Sequence, residues 1–269
     1  MTSSSTVVVV HAHPDDEAIF TGATMYRLAE AGARVVLVTA TGGEEGRPRV
    51  PLRRGETLGE RRRAELERAC ELLGVQRLVV LGFRDSGAHP GPYRAGALGA
   101  ACAAELTRQV ARVVEAEGAQ TLVHYDRQGI YGHVDHVRVH QAGSRVVRRL
   151  GLTGYEATVD GERLLAQTAR GPRHVLHAAA GDRAAVGVSA AEISVAVQAT
   201  PPALLAKMAA MSAHASQIGP EFLDPVTFEG GYGCEWFVRR GAPGLLEQHL
   251  GIAEPPVTLA SQGRVAAGR

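Results

Sequence analysis

The sequence predicts an α/β fold: a Rossmann-like, doubly wound and mostly parallel sheet with a looser C-terminal extension. Three observations predict it. Short apolar, β-branched runs recur at residues 6–12, 35–40, 78–83 and 121–126. Stretches with helical apolar spacing separate them, at 17–31, 60–73 and 98–117. Each run is followed by polar residues, so four polar clusters fall on one sheet edge, the carboxyl edge where open parallel sheets bind ligands.

Each element has its own reason. The valines at 7–10 are too few for a globular helix and β-branched, so they form a buried strand. Over 17–31 the apolar residues Ile19, Phe20, Ala23, Met25, Tyr26, Leu28 and Ala29 suit a helix, with Gly32 at its C-terminal end. The strand at 35–40 runs into "TGGEEGRPRVPLRRGETLG", a loop by its glycines and prolines. A charged helix over 60–73 stops at Gly74, the strand 78–83 follows, and a Gly/Pro-rich loop leads into helix 98–117 and strand 121–126. This β-α alternation implies right-handed parallel crossovers. Beyond Gly151 the pattern loosens. Strands are expected within 186–199, and "TPPALLAKMAAMSAHASQ" reads as a helix with Thr200 as N-cap and proline in its first turn. The expected organisation is one domain over 1–269, with a core at about 6–150, a substrate-shaping part at about 151–250 and a mobile tail at 256–269.

Composition narrows the function. Of 269 residues, 45% are hydrophobic and 21% charged, ordinary for a soluble globular protein. A net charge of +1 gives no reason to expect nucleic acid or an acidic membrane as partner. No apolar run approaches the roughly 18–20 residues of a membrane span, and Met1 to Ser5 lack the features of a signal peptide. Cys70, Cys102 and Cys234 are widely spaced, odd in number and without CxxC, which suits reduced thiols in the cytoplasm.

The polar clusters carry the chemistry. They read "HAHPDDE" (11–17), "TATGGEEG" (39–46), "GFRDSG" (82–87) and "YDRQGIYGHVDHVRVH" (125–140). His13 and Asp16 stand three apart at a strand-to-helix turn, and His133 and His136 repeat that spacing where a fourth helix should begin. Two nitrogen ligands and a carboxylate, with an open position, make up a catalytic zinc site. A divalent cation would also compensate carboxylates that a buried strand end could not otherwise tolerate. A further carboxylate beside the ligands is what metal-assisted hydrolysis needs.

Plainer readings compete with each motif. HxxH alone is a weak signal. "HPDDE" could be a helix cap, with Asp15 or Asp16 accepting first-turn N–H groups. Asp85 is by default a turn residue, and His11 and His124, inside apolar strands, are core histidines. The glycines at 42–46 lack the signature of a P-loop or a dinucleotide fold, and no GxSxG elbow is present. The case for a metal rests on the first and fourth clusters occurring together.

Taken together, "AHPDDE" (12–17), "RRAELERACELLG" (62–74), "FRDSG" (83–87), "YGHVDH" (131–136) and "KMAAMSAHASQ" (207–217) resemble the LmbE-like zinc de-N-acetylases, the GlcNAc-phosphatidylinositol de-N-acetylase (PIG-L) family, which includes the mycothiol-pathway deacetylases. The resemblance spans about residues 6–240. It implies hydrolysis of the acetamide of a GlcNAc-like amino sugar, with zinc (or iron in the cell) held by His13, Asp16 and His136. It implies Asp15 as general base and later proton donor, His133 as oxyanion stabiliser when protonated, Asp135 as the partner orienting His133, and Tyr131 assisting at the oxyanion. Arg62, Asp85 and His214 match positions linked to the substrate. Val134 stands where several relatives have proline. The implied partner is a small amino-sugar substrate, with a homo-oligomer as a further option. Competing functions are an amidase for a larger acyl group, a non-catalytic sugar-binding module, and a metal-dependent esterase or phosphatase. Intact Asp15 and His133 speak against the binding module, and the lack of a second metal's ligands against the phosphatase.

Overall fold

The computed structural model describes residues 5–88, 93–166 and 186–252; the tail expected at 256–269 lies outside them. The chain begins with β1 (Thr6–His11), α1 (Asp16–Phe20), α2 (Gly22–Glu30), β2 (Arg34–Thr41), α3 (Leu58–Leu72) and β3 (Arg77–Phe83). It continues through α4 (Ala103–Ala116), β4 (Thr121–Tyr125), the single turn α5 (Gly129–Gly132), α6 (Val134–Leu150), β5 (Thr153–Thr158) and α7 (Gly161–Ala166). The last elements are β6 (Val195–Gln198), α8 (Pro201–Ala213), α9 (Pro225–Tyr232), β7 (Cys234–Arg240) and α10 (Leu245–Leu250).

The seven strands form one sheet in the order β3-β2-β1-β4-β5-β7-β6. The first five are parallel, and β7 runs antiparallel to both β5 and β6. The chain steps outward from β1 to β3, then returns to the other side of β1 with β4. The switch point of the sheet therefore lies between the carboxyl ends of β1 and β4, where a crevice forms in folds of this kind.

Burial follows from strand period. Val7 and Val9 face Met25, Leu28, Leu66, Leu73 and Met211, on α2, α8 and the α3 segment. Val8 and Val10 face the opposite layer, with Leu106, Val110, Val139 and Val146 from α4 and α6. Both faces of β1 are thus apolar, which is why its sequence is a valine run rather than an alternation.

Two helices and two strands differ from the sequence expectation. The helix expected at 17–31 is two helices, because Thr21 leaves the helical region and bonds His11 Nε2 through its hydroxyl at 2.8 Å. The helix expected at 98–117 starts as a 3-10 turn at Leu98–Ala100, and α4 begins at Ala103. Strands β5 and β7 were hidden by polar residues that are nevertheless buried. Glu156 of β5 is compensated by Arg240 at 2.8 Å. Glu235 of β7 is compensated by Lys207 Nζ at 2.6 Å, with both side chains 1% exposed.

Lys207 is the single lysine of an otherwise arginine-based chain. Its partner also accepts the Ala23 and Thr24 N–H groups at 2.9 and 2.8 Å, fastening β7 and α8 to the start of α2. Replacing Lys207 by methionine leaves a buried carboxylate without its cation, and is expected to cost about 3–5 kcal/mol of stability in urea unfolding. A loss below about 1 kcal/mol, the scale of an exposed pair, would contradict this role.

Candidate metal centre and active site

The loop after β1 and the loop after β4 meet at the switch point. Tyr125, the last residue of β4, ties them together. Its hydroxyl accepts the Ala12 N–H at 2.8 Å and donates to Asp16 Oδ2 at 2.7 Å. Its ring stacks on that of His136, 4.1 Å between centroids and 1° between planes. Gly129, at φ 64°, lets the loop pass close to α6: a Cβ there would lie 2.6 Å from the Cβ of His136.

Three donor atoms form a near-equilateral triangle. His13 Nδ1, Asp16 Oδ2 and His136 Nε2 are separated by 3.3 Å along each edge. For a tetrahedral ion with bonds of ~2.0–2.1 Å, the ligand-to-ligand edge is ~3.3–3.4 Å. The outer nitrogens decide which atoms carry lone pairs. His136 Nδ1 lies 3.2 Å from the Gly129 carbonyl, and His13 Nε2 lies 3.2 Å from Asp135 Oδ2 and 3.5 Å from Asp85 Oδ1. Both outer nitrogens must donate, so the inner ones offer lone pairs to the same point as the Asp16 carboxylate. A proton on one corner could bond along only one edge, whereas a divalent cation satisfies all three. These residues fit a metal ion.

The electrostatics point the same way. Burial alone would lower the His13 pKa, but Asp135, Asp16 and Asp85 together hold it well above the ordinary value. Burial would raise Asp16, yet His136 and His13 hold its carboxyl well below the usual range. The cluster demands positive charge at its centre. The ligand atoms of two other groups, His13–His133–His136 and His13–Asp85–Asp135, also lie within 4.8 Å of one another. The second surrounds the N–H side of His13, so it orients that ring.

Asp135 and His133 exchange their expected relation. The Asp135 carboxylate faces His13 rather than His133, and is itself fixed by the Ser86 N–H at 3.0 Å and the Ser86 hydroxyl at 2.5 Å. His133 is the N-cap of α6, where its Nδ1 accepts the Asp135 N–H at 3.2 Å. That bond leaves the proton on Nε2. Burial, with His13 and His136 nearby, lowers the His133 pKa to about 3. In this arrangement the His133 Nε2–H is the group available to donate into the site.

Asp15 stands on the open side of the triangle with its side chain 18% exposed. Burial raises its carboxyl to about 6, Arg62 opposing and Asp16 adding to the rise. The Asp15 side chain makes no cap bond to α1, so the capping alternative for it does not hold. Its Oδ2 instead accepts from Arg62 Nη2 at 3.0 Å. Arg62 is 4% exposed, and donates also to the carbonyls of Gly43 and Pro14. In this structure Arg62 is a buried partner of Asp15. The glycine loop explains itself here. A Cβ on Gly43, which has φ 67°, would sit 2.4 Å from Arg62 Cζ, so the loop can wrap the guanidinium only as glycine.

The two other residues expected at the substrate are also buried. His214 is fully buried with Nε2 2.5 Å from Glu17 Oε1. Asp85 is 6% exposed, accepting the Gly87 N–H at 2.8 Å and facing His13. Tyr131 lies in the site, its ring 5.0 Å from that of His136. Its loop is anchored by Asp126, which accepts the Gln128 and Ile130 N–H groups, both at 2.9 Å. Sequence reasoning missed Ser86, Tyr125, Asp126 and Glu17. Each lies inside a polar cluster already singled out, and only its place there could have flagged it.

A model of the family described as GlcNAc-PI de-N-acetylase (PIG-L) matches residues 8–147, just over half of the chain. The chain belongs to this family. A 1D-myo-inositol 2-acetamido-2-deoxy-α-D-glucopyranoside deacetylase of Actinosynnema mirum is 34% identical, over 95% of this chain and 94% of that protein. The enzyme of the same name from Streptomyces avermitilis is 38% identical over 80% of this chain and 85% of its own length. Among solved structures, the N,N'-diacetylchitobiose deacetylase of Pyrococcus horikoshii shares the fold, with a TM-score of 0.59 at 20% identity, over 95% of this chain and 88% of that one. The PIG-L match contains every residue of the triangle.

Asp135→Asn tests the orientation of His13. Losing the carboxylate behind the N–H is expected to weaken cation affinity about 10–100-fold, read by chelator competition. Unchanged affinity would show that the contact does not organise the triangle.

Proposed function

We propose that the chain is a zinc-dependent N-deacetylase that hydrolyses the acetamide of a GlcNAc-containing small molecule to a free amine and acetate. The observation that carries this is the 3.3 Å triangle of His13, Asp16 and His136 with the Asp15 carboxylate beside it. Zinc is the preferred ion because two imidazoles and one carboxylate at these separations suit its tetrahedral geometry. When bound, it supplies Lewis-acid polarisation of the amide carbonyl and lowers the pKa of the attacking water.

The remaining steps belong to the protein. Asp15, raised toward neutrality and held by Arg62, takes the proton from the attacking water. It then returns that proton to the nitrogen, without which the amide cannot release its amine. The Nε2–H of His133, aimed by the cap bond at its other nitrogen, donates to the oxyanion as charge develops. The Tyr131 hydroxyl, held well above its ordinary pKa by burial and then by Asp16 and Asp15, stays protonated and is a second donor on that side.

Beside Asp15 and Asp16 lies a cavity of about 140 Å³, walled by Ile19, Phe20, Tyr131, Met211, Ile218 and Phe222 among others. A cavity of roughly 150 Å³ with such walls accepts benzene, so there is room for one ring-sized group. The names of the two relatives favour a GlcNAc-inositol as substrate. The apolar walls favour a second reading, in which a longer N-acyl chain is removed. No helix among the described residues is long and apolar enough to cross a membrane. Free Cys70, Cys102 and Cys234 accord with a cytoplasmic enzyme, and the continuous sheet accords with one domain.

Zinc-loaded protein is expected to release acetate from a GlcNAc-inositol, and chelator should abolish the release. Preference for an N-hexanoyl analogue would favour the second reading, and no release from either would contradict both. Asp15→Ala should retain zinc yet lose at least about 100-fold in kcat. A variant keeping most of its turnover would remove Asp15 from the role of base.

A further inference from the structure

Asp15 stands at the N-cap of α1, where a side-chain oxygen ordinarily accepts an N–H of the first turn. It makes no such bond. Its φ of 106° is a conformation that residues with a Cβ rarely adopt, and it leaves the carboxylate on Arg62 and the open side of the site. Such a backbone persists only where its surroundings over-determine it.

The ties are visible. The Asp15 carbonyl accepts the Ala18 and Ile19 N–H groups, both at 3.1 Å. The Asp15 N–H donates to Glu17 Oε2 at 2.8 Å. This is half of a capping box, with the acid one position early and the cap's own side chain released from its usual bond. The other oxygen, Glu17 Oε1, lies 2.5 Å from His214 Nε2, and both side chains are 0% exposed. A carboxylate this deep is costly without a partner, and His214, at the C-terminal end of α8, supplies it. Neither side chain can reach substrate.

We propose that Glu17 and His214 are positioning residues: the buried pair locks the Asp15 backbone so that its carboxylate is free for proton transfer. This rests on the reading of Asp15 as the base. On this account the C-terminal part of the chain acts on the chemistry through α8 and Glu17, not only by shaping a pocket.

The test is a Glu17→Leu/His214→Met double variant, which removes the pair without leaving either partner buried alone. It is expected to fold, to bind zinc with the parent's stoichiometry, to keep KM and to lose about 100-fold in kcat. Glu17→Gln still offers an amide oxygen to the Asp15 N–H and should keep more than about a tenth of kcat. Added to Asp15→Ala, the double change should cost no further residual turnover, since both act through one group. A folded, metallated double variant within threefold of the parent kcat would overturn the proposal, as would full additivity with Asp15→Ala. If the double variant does not fold, Glu17→Gln decides, and a loss equal to that of Asp15→Ala overturns it. Failure of the base reading is separate, because Asp15→Ala alone would then keep its turnover.

Discussion

Three lone pairs aimed at one point are unstable without a cation between them, and the protein maintains that arrangement on purpose-built supports. His13 and His136 converge because their outer ring nitrogens are committed elsewhere, and the Asp16 corner is held at Oδ2 itself by the Tyr125 hydroxyl and the His13 backbone N–H. Asp135 and Asp85 take the far side of His13, the Gly129 carbonyl takes the far side of His136, and the Tyr125 hydroxyl bonds Asp16. Removing any support frees a side chain to turn away from its neighbours. The three acids at the end of the buried valine strand are each compensated separately: Asp16 by the imidazoles of the triangle, Asp15 by Arg62 and Glu17 by His214.

The fold contributes the meeting place. β1 and β4 are neighbours in the sheet but distant in sequence, and the reversal of winding between them opens their carboxyl ends to one crevice. Helix α3 then joins the site to the C-terminal part. Arg62 on α3 reaches Asp15, while Glu65, three residues on, accepts the Ser216 N–H at 3.0 Å and its hydroxyl at 2.6 Å. The same helix thereby fixes Asp15 and the segment carrying His214. Buried polar pairs, rather than further apolar area, set the relative placement of these parts, which makes the site specific in geometry at some cost in stability.

Much of this was legible in the sequence. The first four strands, β1 to β4, could be found because β-branched runs bounded by glycine and charge have few other interpretations. The two motifs that hold His13, Asp16, His133 and His136 could be found at matching strand ends, whereas the choice of His136 over His133 as ligand came from the family resemblance. What stayed hidden was partner choice. HVDH shows that Asp135 is near His133, but not that its carboxylate crosses to His13 while its N–H caps onto His133. The motifs that carry Arg62 and His214 do not show that the glycine loop closes over Arg62 or that His214 is buried against Glu17. Strands β5 and β7 escaped because Glu156 and Glu235 break the hydropathy signal, and only the distant Arg240 and Lys207 explain why they can be inside. Local periodicity carries the elements; contacts between residues from 28 to 197 positions apart carry the roles.

The central claim, that the triangle is a zinc site built from imidazole and carboxylate, is tested most directly by X-ray absorption at the zinc edge on the reconstituted chain, beside a stoichiometric metal determination. The account predicts one zinc per chain in a low-coordinate shell of nitrogen and oxygen at ~2.0–2.1 Å with an imidazole scattering pattern, and loss of that ion in His136→Ala. No bound zinc, or a sulfur-containing shell drawn from the cysteines, would contradict it.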